Sequence, residues 1–140
     1  MGFVVPQVIT EDRASGAQIV DGSLKFDGTS QYLTRTPSSA GNKKTFTISA
    51  WVKKQVVDDF QNIYNGGATS ATNSVFQFYF MNTAGGNGIA IYARSSSGTA
   101  AYSYSSQVFR DVNGWYHVVA AIDTTKSAFA DQQKIYVNGT

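Results

Sequence analysis

Phe46, Ile48, Ala50 and Val52 alternate with Thr47, Ser49, Trp51 and Lys53, a period of two that puts one set of side chains on a buried face and the other in solvent. The alternation recurs in Val75–Met81, where Phe76, Phe78 and Phe80 share a face opposite Gln77 and Tyr79. It returns in Trp115–Ile122, where Tyr116, Val118, Ala120 and Ile122 oppose Trp115, His117, Val119 and Ala121. Further strands are expected at Leu24–Phe26, Tyr32–Arg35, Gln61–Tyr64, Gly88–Ala93 and Ala100–Ser105, with a last one at Lys134–Val137. Turn residues separate them: Asp27-Gly28-Thr29-Ser30, Asn65-Gly66-Gly67, Gly85–Gly88, Ser95–Gly98 and Asn138-Gly139, where Gly, Asn and Asp accept the backbone angles of tight reversals. Pro37–Lys44, Ala68–Ser74 and Asp123–Gln133 read as polar loops, and Asp123-Thr124-Thr125 invites side-chain-to-backbone turns. Residues 1–20 lack periodicity and read as an irregular arm before one domain over 21–140.

Composition narrows this to an all-β chain. Ser and Thr number 28 and Tyr and Phe 17, against one Glu and two Leu, so good helix formers are scarce. Eleven basic and nine acidic residues give no field that would draw nucleic acid or an anionic membrane. The chain has no Cys, which excludes a disulfide framework, a Cys-ligated metal and a Cys nucleophile. Met1–Pro6 has neither a charged start nor a sustained apolar run, so neither a signal peptide nor a membrane insertion is expected.

The order Ser23–Gly28, Tyr32-Leu33, Phe46–Lys53, Gly114–Asp123 and Lys134–Gly139, the last two reading GWYHVVAAID and KIYVNG, resembles laminin-G-like domains of the concanavalin A-like lectin/glucanase superfamily. The resemblance implies an antiparallel β-sandwich of the concanavalin A-like jelly-roll type. Such domains continue past the YVNG turn with further strands, so the sandwich is expected to lack its C-terminal closing strands. Its free edge would then be covered by residues 1–20 or by another chain, or the sequence is a piece of a larger protein that supplies the missing strands. The longer strings Tyr32–Lys54 and Phe109–His117, with Asp123-Thr124-Thr125, are similar to lectin-like domains in structural proteins of marine tailed bacteriophages. What this implies is a non-enzymatic virion surface protein, a capsid decoration or tail-fibre module with weak glycan binding. It would be made in the host cytoplasm and partnered by other virion proteins or copies of itself, and by a host surface glycan. A free-standing bacterial carbohydrate-binding module is the alternative.

Retaining glycosidases of this superfamily place carboxylates at alternating positions of one strand, about 5–5.5 Å apart. No such strand is visible: Glu11 lies in the irregular arm, and Asp58 and Asp59 would point to opposite faces. His117, the one His, reads as a hydrogen-bonded structural residue rather than a general base. Sugar binding needs aromatic faces beside planar polar groups, which Tyr64, Asn65, Tyr79, Tyr92, Arg94, Tyr102 and Tyr104 offer; packing on a sheet is the competing role for each tyrosine. Trp51 and Trp115 are expected to brace the core. The family resemblance implies no obligatory cofactor but allows a rim calcium, for which Asp27, Asp111, Asn113 and Asp123 are the oxygen donors nearest the motif turns. Turn formation is their competing role.

Overall fold

The computed structural model describes residue 24 and residues 26–67, 74–82, 86–98 and 100–140. The arm expected over residues 1–20 lies outside these. The chain divides into two compact units, Met1–Ser39 and Ala40–Thr140.

In the first unit the described residues contain no strand, against the expectation for Leu24–Phe26 and Tyr32–Arg35. Leu24, Tyr32 and Leu33 are exposed, and a pair of short strands whose apolar side chains stay in water gains little from pairing. The expected turn between them does form. Asp27 Oδ1 accepts the backbone N–H groups of Thr29, Ser30 and Gln31 at 2.9, 2.9 and 3.0 Å, and Gly28 takes φ +72°.

The described residues of the second unit hold seven strands and one helical turn: β1 (Thr45–Lys53), β2 (Gln61–Gly67), β3 (Val75–Phe80), β4 (Ile89–Arg94), β5 (Ala100–Tyr104), β6 (Trp115–Asp123), α1 (Phe129–Gln132) and β7 (Gln133–Val137). They form two antiparallel sheets, β1-β6-β7 and β2-β3-β4-β5. The helical turn α1 interrupts the segment expected to be loop throughout, and β2 runs through Asn65-Gly66-Gly67 instead of turning there. No helix of the described residues is long and apolar enough to cross a membrane.

Period-two alternation decides what each sheet buries. Phe78, Phe80, Ile89 and Ile91 of one sheet meet Val118, Ala120, Ile122 and Val137 of the other, with Phe109 from the loop before β6; each large side chain so buried contributes roughly 2 kcal/mol. Phe46 packs edge-on to Phe76 at 5.2 Å, and Phe109 sits between Phe80 (5.5 Å) and Tyr116 (5.1 Å). Gln133 lines an open crevice of about 370 Å³ beside β5 and β7, and its buried Oε1 has no protein donor.

One charge sits inside this rim. Lys54, directly after β1, is fully buried; its Nζ donates to Asn87 Oδ1 at 3.3 Å and to Phe109 O at 3.2 Å. Asn87 Nδ2 in turn donates to Asp58 Oδ1 at 3.1 Å, and Phe109 N to Asn87 O at 2.9 Å. Three connections, those before β2, between β3 and β4, and before β6, thus converge on one ammonium group. Burial pushes its pKa down, and the Asp58 carboxylate opposes that shift. Lys54→Ala leaves a buried carbonyl and a buried amide oxygen without this donor, at roughly 1–3 kcal/mol. Equilibrium denaturant unfolding should show a loss of about 2 kcal/mol with the far-ultraviolet spectrum unchanged.

Candidate functional site

The outer face of β2-β3-β4-β5 collects most of the residues singled out for glycan contact. Register places Asn65, Gln77, Tyr92 and Tyr102 in one cross-strand row and Asn62, Tyr79, Ala90 and Tyr104 in the next, with Val75, Arg94 and Ala100 in a third. Tyr92 and Tyr102 meet edge-on at 6.4 Å, and Tyr102 and Tyr104 are tilted at 5.5 Å. Ala90, flanked by Tyr79 and Tyr104, is fully buried although it faces outward. Tyrosines standing on both sides of a methyl group shield it from water. Tyr102 and Tyr104 are 44% and 65% exposed, and Tyr102 Oη donates to Met81 Sδ at 2.9 Å. This surface pairs ring faces with the amides of Asn65 and Gln77 and the guanidinium of Arg94, the groups that C–H faces and hydroxyls of a sugar require.

Tyr64 does not join them. A bulge between Asn62 and Tyr64 shifts the parity of β2, so Tyr64 pairs with Phe78 and packs edge-on to Phe76 at 6.0 Å, on the core side. There it borders an apolar groove of about 810 Å³ with Phe46, Ile48 and Phe76.

Three of the four candidate calcium donors, Asp27, Asp111 and Asp123, accept turn hydrogen bonds, and Asn113 donates its backbone N–H to one of them. Asp27 belongs to the first unit; besides its three backbone donors, Ser30 Oγ donates to its Oδ2 at 2.6 Å, and these bonds hold its carboxyl well below the usual carboxylate range. Asp111 Oδ1 accepts Asn113 N at 2.8 Å. Asp123 accepts both the N–H and the hydroxyl of Thr125, which lowers its pKa. Asp111 and Asn113 precede β6 and Asp123 ends it, so roughly 26 Å of strand separates them. No group of acidic and His side chains able to hold a metal occurs among the described residues.

Sequence reasoning misplaced the tryptophans. Trp51 and Trp115 lie on the outer face of β1-β6-β7, 66% and 62% exposed, where register sets Trp51 opposite His117 and Lys53 opposite Trp115. The signal was present: Trp51 shares the parity of Ser49 and Lys53, and Trp115 that of His117. His117 is hydrogen-bonded as expected, its Nε2 2.9 Å from Ser49 Oγ and its ring centroid 5.1 Å from that of Trp51.

Tyr79 carries a pH signature. Desolvation, then a hydrogen bond with Tyr102, raises its phenol well above the usual range. The folded state therefore holds this proton when the unfolded chain has lost it, so stability is fully present below about pH 10 and declines as pH rises beyond it. Denaturant titrations from pH 8 to 12 should show that decline flattened in Tyr79→Phe.

No curated protein and no solved structure matches the chain. The family model described as the concanavalin A-like lectin/glucanases superfamily, of laminin-G type, matches residues 27–140. With two antiparallel sheets closing on a phenylalanine-rich core and that match over most of its length, the chain belongs to the concanavalin A-like lectin/glucanases superfamily.

Proposed function

We propose that the chain is a non-enzymatic lectin-like module that binds glycans on the outer face of its four-stranded sheet. The observation that carries this reading is the joining of Tyr92, Tyr102 and Tyr104 with Asn65, Gln77 and Arg94 in adjacent rows of one rigid surface. Side chains held by strands lose little freedom on binding, which suits a weak, extended ligand. Absence of turnover is supported by the strands themselves. None of the seven carries two carboxylates, so the acid and nucleophile pair of a retaining glycosidase has no strand to stand on.

The finer setting is a virion surface, as a capsid decoration or tail-fibre module whose partners are other virion proteins or copies of itself and whose ligand is a host glycan. The support for that setting is the similarity of Tyr32–Lys54 and Phe109–His117 to phage structural domains. Among the described residues β1 and β7 edge one sheet and β2 and β5 the other, and such edges suit pairing with a neighbouring chain.

A glycan array on the purified chain should give a defined set of binders. Their affinity should fall about tenfold or more in the Tyr102→Ala, Tyr104→Ala double variant, the loss of roughly 1.4 kcal/mol or more expected for two ring contacts. Binding untouched by that variant would defeat the site. Laminarin and other β-glucans should stay intact on prolonged incubation; cleavage that vanishes on changing Asp58 and Asp59 to Asn would make the chain an enzyme. Mass spectrometry of purified particles tests the virion setting by the presence and copy number of this polypeptide.

A further inference from the structure

Both tryptophans of the chain lie on the sheet that the tyrosine face does not use. Because Trp51 is opposite His117, Trp115 is its diagonal neighbour on the adjacent strand, at roughly 7–8 Å between backbones and within reach of a large side chain. The next row holds Ser49, Val119 and Tyr136, the last 40% exposed. This surface is held in place. His117 is fixed by Ser49 Oγ and by the Trp51 ring, and its backbone N–H donates to Asn138 Oδ1 at 3.0 Å. Rings already ordered by strands and by such second contacts bind a ligand without first being immobilised.

Charge on this face has one sign near the indoles. Lys53, in register with Trp115, makes no ion pair among the described residues. The carboxylate nearest Trp115 in sequence, Asp111, lies on the other side of β6, where a Cβ at Gly114 would meet both it and the inward-facing Tyr116, and Asp58, nearest Lys53 in sequence, accepts from Asn87 Nδ2 at the buried Lys54 cluster. Asp123 is at the far end of the strand, and Lys134 has its own partner in Asp131 at 3.6 Å. A protein-docking patch would centre on apolar side chains and exclude charge. Here a free cation shares a row with an exposed indole, and Val119 is the one branched aliphatic beside them.

We propose that this face is a second binding site, for an acidic saccharide: a pyranose whose C–H surface lies on Trp51 and Trp115 and whose carboxylate pairs with Lys53. It is separate from the tyrosine face and stands or falls independently of it. With both tryptophans on this surface, tryptophan emission reports it and not the other sheet. Hexagalacturonate titrated at low salt into the full chain should give a saturable blue shift, with maltohexaose at least about tenfold weaker. Trp51→Ala and Trp115→Ala should each weaken the acidic hexasaccharide about tenfold by calorimetry, and Trp51→Phe less. Lys53→Gln should weaken it about fivefold and reduce its salt dependence while leaving the neutral sugar unchanged. The Tyr102→Ala, Tyr104→Ala variant should leave the emission response intact. No shift at millimolar hexagalacturonate, equal affinity for maltohexaose, or an emission shift that follows protein concentration without sugar would each overturn the proposal, the last by placing a second copy on the face.

Discussion

Edge-on packing of Phe46 against Phe76, and of Phe109 between Phe80 and Tyr116, joins two sheets whose hydrogen-bond ladders are separate. Ring pairs of this geometry add roughly 0.5–1.5 kcal/mol beyond the area they bury. More important is what they enforce. A slip of one residue in β1, β3 or β6 would carry every inner side chain to the outside, so the core fixes the parity of each strand. That parity in turn decides which rings face water. The outer tyrosines and tryptophans occupy their rows because the phenylalanines and small aliphatics occupy theirs.

Lys54 solves a second problem, the anchoring of long connections at one end of the sandwich. Its ammonium is costly to bury, and the cost is offset by oxygen acceptors from Asn87 and Phe109 and by the Phe80 ring 5.7 Å away. Asp58, with φ +70°, reaches the same cluster through Asn87. A point charge with several donors can bind loops that have little apolar surface of their own. The rim is consequently organised by a covalently attached cation.

How much of this could be read from the residues depended on parity. The alternation of Phe46–Val52 gave its inner face, and that of Val75–Met81 and Trp115–Ile122 gave the two opposed sets of side chains but not which set is buried; Asp27-Gly28 and Gly86-Asn87 gave their turns because the backbone angles demanded them. Tyr64 was lost to a bulge, which inserts a residue without leaving a mark in composition. The core role expected for Trp51 and Trp115 ran against the evidence of their own parity, and parity won, since a strand cannot turn one side chain inward alone. The expected pair at Leu24–Phe26 and Tyr32–Arg35 had β-forming residues, but Leu24, Tyr32 and Leu33 stay exposed, so local propensity had no burial to support it. Asp111, Asn113 and Asp123 were chosen as oxygen donors near motif turns, although the strand expected at Trp115–Ile122 already put its whole length between them.

The outer rows of the two sheets point away from each other across a shared interior, at the roughly 10 Å spacing of packed sheets. A polymer lying along one surface cannot also lie along the other without bending round the edge of the sandwich. Any chain-like ligand held on both sides would therefore come from two separate strands. With glycan bound on both outer faces, as proposed above, the domain would tie two separate chains together, as a cross-link does.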